Sequence, residues 1–427
     1  MGLALTNGEA FTEGKLQKKN ILIENGKITQ ISDAKIPAQK EMDCTGKIIL
    51  PGGIDAHVHF RCPGFEYKED WVSGSLAAIH GGVTTVMDMP NTRPPTLTLK
   101  DYNDKKEMAG KNAAVNFDFY MGFNGANLPE IEAACAKGLR AVKVYFGSTT
   151  NTLAQDSLEN LAKLFELAKR TGIVVSAHAE DDNEIRKNTE KLEGTAASKS
   201  PDLHAKIRND LAEAKAIAKL LELQEKIGNR LHIAHITSKK GLELVKKAKT
   251  GRFGRSVTCE VTPHHLLLDS SAYKKLGNLI KCNPSVKPKG DRVALWKGLV
   301  AGDIDIIATD HAPHTLEEKK KPYKDAPSGV PGVETMMPLL LDLALRKKVG
   351  LGRVVDACSE RPAHIFNWQS KGRIAQGLDA DLIIVDPKKT NTVENERLFT
   401  KAGYSPFNGR KLKGFVEKTI VGGNVFG

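Results

Sequence analysis

The sequence predicts an α/β fold, a (β/α)8 TIM barrel with a small composite β-sandwich domain formed by the N- and C-terminal segments. Two observations predict it: short apolar runs alternate with helical patterns through the middle of the chain, and turn-separated β-type runs occupy both ends. The 427 residues suit one barrel of about 250 residues plus a smaller domain. We therefore expect the sandwich over 1–50 and 366–427 and the catalytic barrel over 51–365.

Both ends of the chain carry short β-forming runs. Asn25-Gly26, between two of them, is typical of a tight hairpin turn. Because the two ends share this style, we expect them to build one sandwich together. The runs are Ile21–Glu24, Lys27–Ile31 and Lys47–Leu50 near the N-terminus, and Ala380–Asp386, Phe415–Val421 and Asn424–Phe426 near the C-terminus.

The middle of the chain contains eight apolar runs that we interpret as parallel strands. Between them, apolar residues recur at helical spacing, for example from Ser157 to Arg170 and from Asp210 to Lys226. This alternation predicts a closed barrel, whose active site lies at the C-terminal ends of the strands. The predicted strands are Gly53–Phe60, Val83–Met89, Val115–Phe123, Leu139–Phe146, Ile173–Ala179, Leu231–Ile236, Ser256–Val261 and Ile304–Thr309.

The composition excludes several classes of protein. Hydrophobic residues make up 40% and charged residues 27%, and no apolar run approaches the roughly 18 to 20 residues that a membrane span requires. The six cysteines are far apart and include no Cys-x-x-Cys pair, which predicts reduced thiols. We therefore expect a soluble cytoplasmic protein. The net charge of +12 is scattered over the chain, which argues against nucleic-acid binding and agrees with an anionic substrate.

The first predicted strand ends in two histidines, His57 and His59. Residues two apart on a strand point to the same side, so both imidazoles face the barrel interior and can share one metal ion. In isolation, a His-x-His pair is more often a pair of hydrogen-bonded core histidines. The choice between the two interpretations depends on the other strand ends.

The fourth predicted strand carries Lys143 in an otherwise apolar run, on the same face as Ala141 and Tyr145. Burial disfavours the ammonium form and lowers the pKa of a lysine, so that the neutral amine can react with carbon dioxide to form a carbamate. A carbamate can bridge two metal ions. The alternatives are that Lys143 extends to solvent or pairs with an acid such as Asp310.

Three further strands end in residues that bind metals. His178 ends the fifth strand and Asp310 the eighth, each in phase with inward-facing neighbours. On the sixth strand His232 and His235 have opposite parity; the end position favours His235 for the site and leaves His232 a structural role.

Four histidines, one lysine and one aspartate therefore converge at one end of the barrel. Imidazole and oxygen ligands favour zinc or a similar divalent ion, and six ligands suit two ions better than one. We expect a hydroxide that bridges the two metals to attack an amide carbonyl, with Asp310 as general acid and base for the leaving nitrogen. The sequence thus predicts a metal-dependent hydrolase.

These residues lie in motifs that resemble those of the cyclic amidohydrolases, and in particular the dihydroorotase family. The resemblance covers nearly the whole chain. The matching motifs are Pro51–Arg61, Asp88–Thr92, Val142–Tyr145, His178–Glu180, His235–Thr237, Asn283-Pro284 and Thr309–His314.

The resemblance implies two divalent metal ions, Zn²⁺ in the family's usual case. One would be held by His57, His59 and Asp310 and the other by His178 and His235, with N6-carboxylated Lys143 between them. It also implies the reversible cyclisation of N-carbamoyl-L-aspartate to L-dihydroorotate in de novo pyrimidine (UMP) biosynthesis. The substrate-binding residues that it implies are Arg61, Asn91, Asn283 and His314, together with Pro331 and Gly332 from a segment that contacts the ring through its backbone.

The residues themselves support a carboxylated substrate. Arg61 lies two positions after His59, and its planar guanidinium suits a carboxylate, while Asn91 follows the second strand. Taken singly, such polar loop residues are as often surface or turn residues. His264 and His265 follow the seventh strand, and their role is open between structural support and a contribution to the site.

Two alternatives compete with this interpretation. Another cyclic amidohydrolase, such as a dihydropyrimidinase (hydantoinase) or an allantoinase, would share the metal ligands but act on a neutral ring, against which Arg61 and Asn91 argue. A non-catalytic scaffold would be expected to have lost ligands, and all six are present. The sequence leaves open a homodimer and an association with aspartate transcarbamoylase.

Overall fold

The computed structural model describes residues 2–149, 154, 157–192 and 200–427. The strands in these residues are β1 (Leu3–Thr6), β2 (Glu9–Thr12), β3 (Lys15–Lys18), β4 (Asn20–Glu24), β5 (Lys27–Ser32), β6 (Lys40–Asp43), β7 (Ile48–Pro51), β8 (Gly53–Val58), β9 (Val83–Asp88), β10 (Asn116–Gly122), β11 (Ala141–Phe146), β12 (Val174–Ala179), β13 (Arg230–Ile233), β14 (Val257–Val261), β15 (Ile306–Ile307), β16 (Leu382–Thr392), β17 (Lys411–Val421) and β18 (Asn424–Phe426).

The strands β8 to β15 form the predicted barrel. They pair in parallel and in chain order, and each overlaps one of the eight predicted runs. A parallel bridge between Val58 and His311 joins the end of β8 to the segment after β15, where the His59 N–H donates to the carbonyl of His311 at 2.7 Å. The two edges of the sheet therefore meet, and the prediction of a (β/α)8 barrel is confirmed.

The helices pack outside these strands, and local capping sets their limits. Ser157 caps α4 and Asn209 caps α7, and both helices end at glycines in the left-handed region, Gly172 and Gly228. The helices of the described residues are α1 (Trp71–His80), α2 (Leu99–Asn112), α3 (Leu128–Cys135), α4 (Leu158–Thr171), α5 (Asp182–Leu192), α6 (His204–Ile207), α7 (Asp210–Ile227), α8 (Lys239–Lys249), α9 (Pro263–Leu267), α10 (Tyr273–Leu276), α11 (Lys289–Ala301), α12 (Leu316–Lys320), α13 (Met336–Leu345), α14 (Leu351–Val355) and α15 (Arg361–Ile365).

The two ends of the chain build two further sheets. A six-stranded sheet has the order β18-β17-β16-β7-β2-β3, so β16 from the C-terminal segment pairs with β7 from the N-terminal one. A four-stranded sheet has the order β5-β4-β1-β6. Apolar side chains of both sheets, including Leu5, Ile21, Ile49 and Leu382, share one buried cluster. This is the predicted composite sandwich.

The apolar residues inside the barrel leave one end of it for polar groups. Ile54, Tyr120, Val174 and Ile306 form a buried cluster that Phe366 closes near the N-terminal ends of the strands. The strand residues that carry imidazole, ammonium and carboxylate groups therefore gather at the opposite end. Within the described parts of the chain, every helix is too short or too polar to cross a membrane.

Candidate metal centre

A cavity of about 410 Å³ opens at the C-terminal ends of the barrel strands. It brings together all six predicted metal ligands and three of the predicted substrate-binding residues. The cavity is lined by His57, His59, Arg61, Asn91, Lys143, Tyr145, Thr149, His178, His235, Asn283, Asp310, Ala312, Ser328 and Gly329.

His57, His59 and Asp310 converge at one side of the cavity, with potential ligand atoms within 4.8 Å of one another. The Nδ1 atom of His59 lies 2.7 Å from Asn91 Oδ1, to which it donates, so Nε2 carries a lone pair. This Nε2 atom lies 3.0 Å from Oδ1 of Asp310, and Nε2 of His57 lies 3.3 Å from the same oxygen. Acceptors that face each other at these distances are stabilised by a cation between them, so the residues fit a metal ion.

The protonation states of these groups also suit a metal ion. Burial lowers the pKa of His59 to about 4, so its imidazole is neutral at pH 7. Burial alone would raise the pKa of Asp310, but the neighbouring imidazoles of His57 and His59 hold it well below its ordinary value. Neutral imidazoles beside an ionised carboxylate are the forms that bind metals.

His178, His235 and Lys143 face the other side of the cavity. The Nδ1 atom of His178 lies 3.1 Å from Nε2 of His235, close to the separation of about 3.3 Å expected for two nitrogens on a tetrahedral zinc ion. The Nζ atom of Lys143 and Nδ1 of His235 are buried and have no hydrogen-bond partner among the described residues. Burial lowers the pKa of Lys143 to about 8. Asp310 does not form a hydrogen bond with the amine.

Three residues of the cavity have strained backbone conformations. Arg61, His235 and Asp310 have φ values of 61°, 34° and 48°, in the left-handed region that non-glycine residues seldom adopt. Each follows a barrel strand at the mouth. Strain of this kind is retained where the surrounding structure fixes a side chain for a purpose.

Glu260 on β14 connects the two halves of the centre, and the sequence analysis did not identify it. Its Oε1 atom accepts a short hydrogen bond from Nδ1 of His57 and another from the backbone N–H of His235, at 3.0 Å. Its Oε2 atom lies 3.1 Å from Nε2 of His232, which agrees with the structural role predicted for His232. A charged residue in an apolar strand is the same signal that identified Lys143. Glu260 therefore fixes the imidazole of His57 and the backbone of His235, two of the candidate metal ligands.

Arg61, Asn91 and His314 form a polar corner beside the histidines. The Nε atom of Arg61 donates to the carbonyl of Pro313 at 3.2 Å, and Nη2 lies 3.3 Å from His314 Nε2. His314 itself lies behind Arg61 and does not line the cavity. Its Nδ1 atom accepts from Lys68 at 3.0 Å and its Nε2 atom is 3.1 Å from the carbonyl of Ser328. These contacts hold the guanidinium with one edge towards the cavity.

Asn283 is held by His204, a residue that sequence patterns did not indicate. Nε2 of His204 donates to Oδ1 of Asn283 at 2.9 Å and to the carbonyl of Cys282 at 2.8 Å, while Nδ1 lies 2.8 Å from the Tyr323 hydroxyl. The oxygen of the Asn283 amide is thus occupied, and its Nδ2 donates to Thr149 at the cavity wall. His204 thereby sets which end of the amide faces the cavity.

The predicted backbone-contact segment reaches the cavity through Ser328 and Gly329 rather than through Pro331 and Gly332. A Cβ atom on Gly329 would lie 2.3 Å from the carbonyl of Ala312, so only glycine allows the segment to approach this closely. The N–H of Gly332 donates to Nδ1 of His311 at 3.1 Å.

The chain's serine and lysine after Asn283 serve a local purpose. Ser285 and Lys287 both donate to the carbonyl of Arg208 at 2.7 Å, and Arg208 forms a short ion pair with the buried carboxylate of Glu180. These two residues therefore support the wall of the cavity and do not line it.

Comparison with known proteins identifies the family to which this fold belongs. The sequence profile of the Amidohydrolase family matches residues 48–426. The chain therefore belongs to the amidohydrolase family.

Curated relatives narrow the membership to one branch. The chain is 38% identical over 404 residues to a protein named dihydroorotase from Methanothermobacter thermautotrophicus, covering 95% of this chain and 90% of that one. It is 39% identical over 383 residues to a dihydroorotase of Halobacterium salinarum, covering 88% and 85%. Within the family, the chain is a member of the dihydroorotase group, as the motifs predict.

Solved structures confirm the fold. An L-hydantoinase (dihydropyrimidinase) from Arthrobacter aurescens aligns with a TM-score of 0.95 at 30% identity, covering 99% of this chain and 95% of that one. A dihydropyrimidinase from Brevibacillus agri aligns with a TM-score of 0.92 at 27% identity, covering 100% and 95%. The barrel and sandwich are therefore common to cyclic amidohydrolases that act on different rings.

Proposed function

We propose that this enzyme catalyses the reversible cyclisation of N-carbamoyl-L-aspartate to L-dihydroorotate, a step of pyrimidine synthesis. The observation that carries the proposal is Arg61, whose guanidinium lines the same cavity as the candidate metal ligands. A planar guanidinium binds a carboxylate through two parallel hydrogen bonds, and both compounds carry a carboxylate that takes no part in the ring closure. The similarity to dihydroorotases supports the same assignment.

The residues suited to two divalent metal ions are His57, His59 and Asp310 on one side and His178 and His235 on the other. The ionised carboxylate of Asp310, and the buried Nδ1 atom of His235 that has no hydrogen-bond partner among the described residues, fit such a centre. When bound, two ions of the zinc class would activate water near neutral pH and stabilise negative charge on the amide oxygen. Membership of the amidohydrolase family and the candidate ligands support metal binding. That the metal is zinc is our proposal.

Lys143 is proposed to carry an N6-carboxyl group. Its side chain is 1% exposed, and its amine has no hydrogen-bond partner among the described residues. With a pKa of about 8, a substantial fraction of the amine is neutral near pH 7 to 8 and can add to carbon dioxide, with loss of a proton. The resulting carbamate oxygens would point between the two histidine pairs, where a bridging anion is needed.

Asp310 is proposed to move the proton. Its depressed pKa keeps it ionised, so it can accept a proton from the attacking water during ring opening. It then returns that proton to the ring nitrogen that leaves, and in cyclisation the order is reversed. Its Oδ1 atom lies 3.0 Å from Nε2 of His59 and 3.3 Å from Nε2 of His57, and its side chain lines the cavity in which the substrate would bind.

The remaining polar residues are proposed to hold the substrate. Arg61 and Asn91 bind its carboxylate, while His314 supports Arg61 from behind. Asn283 faces the ring from the opposite wall, fixed by His204. Gly329, Pro331 and Gly332 belong to the segment whose backbone passes the ring. Held in this way, the reacting amide faces Asp310 and the metal ligands, which lowers the entropy lost on reaction.

The alternative is a hydantoinase, which the structural similarity favours. A neutral hydantoin or dihydrouracil would leave Arg61 buried without an anion, at a cost in free energy. Assays of the purified enzyme with L-dihydroorotate, dihydrouracil and hydantoin test the proposal. We expect turnover of dihydroorotate alone; preferred turnover of a neutral ring would refute it. Cytoplasmic location, a homodimer and docking of aspartate transcarbamoylase stay predictions.

A further inference from the structure

A second cluster of metal-binding side chains lies beside the first, outside the cavity. His264 and His265 belong to the short helix α9, and Cys282 precedes Asn283 in a loop that packs against it. All three side chains are at least 97% buried. One potential ligand atom from each lies within 4.8 Å of the others.

The hydrogen bonds of His265 allow the tautomer that a metal ligand requires. Its Nδ1 atom is 2.8 Å from the hydroxyl oxygen of Thr262, which also accepts the backbone N–H of His265 at the start of α9. With the proton on Nδ1 donated to this oxygen, Nε2 carries a lone pair. That lone pair faces Sγ of Cys282 and the carbonyl of Pro284.

The distance between two of the three ligand atoms matches a zinc-like ion. Sγ of Cys282 lies 3.7 Å from Nε2 of His265, and two ligands at about 2.3 Å and 2.05 Å from a tetrahedral zinc are about 3.6 Å apart. The carbonyl of Pro284 is 3.3 Å from the same sulfur. A ring nitrogen of His264 lies within 4.8 Å of the ligand atoms of Cys282 and His265. Shifts of about 1 Å in the side chains would bring it to the spacing expected on a tetrahedral zinc.

His264 provides the independent indication of a ligand. Its ring is 1% exposed, yet its Nε2 atom has no hydrogen-bond partner among the described residues. A buried polar atom is normally hydrogen-bonded, and leaving it unpaired is unfavourable. Its ring centre is 4.4 Å from that of His265.

The surroundings of Cys282 keep its thiol protonated when no cation is bound. Burial and the negative charge of Asp310 raise its pKa to about 12, and the positive charges of Lys319 and Lys287 oppose this only in part. A thiolate with two imidazoles is a donor set that selects zinc-class ions over magnesium or calcium. A bound cation would replace the proton of the thiol.

We propose that His264, His265 and Cys282 form a structural metal site that binds one Zn²⁺-class ion. The ion joins α9, at the end of the seventh barrel strand, to the loop that carries Asn283. It would fix that loop in addition to the contacts that His204 makes with the carbonyl of Cys282 and with Asn283. The site differs from the candidate catalytic centre because none of the six residues of that centre carries sulfur.

Sulfur makes the proposal testable with cobalt. The full-length protein is freed of metal and titrated with Co²⁺ while near-ultraviolet absorption is recorded, since a thiolate bound to Co²⁺ gives an intense charge-transfer band. We expect this band in the wild-type protein, its loss in Cys282→Ser, and its retention in Cys259→Ser, a buried cysteine on β14 whose Sγ is 3.8 Å from the carbonyl of Asp303. Absence of the band in the wild-type protein would overturn the proposal.

Two further outcomes are decisive. A band that persists in Cys282→Ser would assign it to another cysteine and refute the site. If Cys282→Ser does not fold, His264→Gln keeps the sulfur and is expected to weaken the cobalt titration of this band at least tenfold; an unchanged titration would refute the role of His264. The result is independent of turnover, so the proposed catalytic function can fail while this site stands.

Discussion

The two ends of the barrel use arginine for different purposes. At the N-terminal end, Arg140 donates to the carbonyl of Asn367 at 2.6 Å, Arg230 forms a short bond to that of Ile365, and Arg353 donates to that of Leu299 at 2.8 Å. These arginines tie strands and helices to the segment around α15. At the C-terminal end, Arg61 uses one hydrogen bond to a carbonyl and turns a guanidinium edge into the cavity.

The same contrast extends to other polar groups. At the C-terminal end, the Nζ atom of Lys143, the hydroxyl of Tyr145 and Nδ1 of His235 are buried without hydrogen-bond partners among the described residues. Near the start of β15, by comparison, Asp305 accepts from Lys249 at 2.6 Å and from the N–H of Cys259 at 2.7 Å. These groups at the N-terminal end therefore stabilise the fold, whereas the three named at the C-terminal end are available to ligands.

The largest expected effect is at Asp310. Asp310→Asn removes the proposed proton carrier without a change of size, and we expect kcat for dihydroorotate to fall by about 10² to 10⁴-fold. The matched control is Asp305→Asn, because Asp305 directly precedes β15 at the N-terminal end of the barrel, whereas Asp310 follows β15 at the C-terminal end. We expect it to lower thermal stability and leave kcat within about twofold. Equal losses of kcat in both variants would contradict the division between the two ends.

A smaller effect is expected at Arg61. Arg61→Met keeps the length of the side chain but removes the charged hydrogen bonds, each worth about 1.5 to 3 kcal/mol. KM for dihydroorotate should therefore rise by roughly 10 to 100-fold, with a lesser change in kcat. The control is Arg230→Met at the opposite end, which should lower the melting temperature without a change in KM. An unaltered KM in Arg61→Met would remove this residue from substrate binding.

The next effect is at His204, whose role is to orient Asn283. His204→Asn should raise KM by about fivefold, as expected for one hydrogen bond of about 1 kcal/mol. Tyr323→Phe, which removes the partner of Nδ1, should act in the same direction but less. KM is measured by steady-state kinetics for both variants. The control is His364→Asn at the N-terminal end of the barrel, for which we expect the kcat and KM of the wild-type protein. A wild-type KM in His204→Asn would show that Asn283 does not need this support.

The smallest effect on kcat and KM is expected for Glu334→Gln. This substitution should instead change how the free energy of unfolding depends on pH. Burial raises the pKa of this carboxyl from 4.5 to about 8, so between these values the folded state binds the proton more tightly than the unfolded chain. Stability from this group is present at low pH and is lost as pH rises towards 8. Urea unfolding at pH 5 and pH 8 should show this decline in the wild-type protein and a flatter profile in Glu334→Gln. The exposed Glu317→Gln should retain the wild-type profile; parallel curves for all three proteins would contradict the assignment.

Strand alternation allowed much of the fold and the centre to be predicted. A period of two fixes which residues of a strand share a face, so His57, His59, Lys143, His178 and Asp310 could be assigned to the barrel interior before any coordinates. Position at a strand end then selected His235 over His232, and both lie as predicted within the structure. The catalytic roles of these residues stay predictions until the variants are measured.

Other features depend on contacts that no local pattern encodes. His204 approaches Asn283 from 79 positions away along the chain, and the sequence around neither residue carries a sign of the pairing. Glu260 was accessible in principle as a charge in an apolar strand, but its two histidine partners come from different strands. The cluster of His264, His265 and Cys282 likewise joins a strand end to a distant loop.

One measurement tests the central claim most directly. The ring opening of L-dihydroorotate is followed in the purified wild-type protein, then after removal of metal with a chelator, and again after addition of Zn²⁺. We predict turnover at first, its loss on chelation, and its return with zinc, because the cavity at the C-terminal end of the barrel brings together side chains that can hold metal ions. Turnover that persists after complete removal of metal, or metal-loaded protein that leaves dihydroorotate unchanged, would contradict the account.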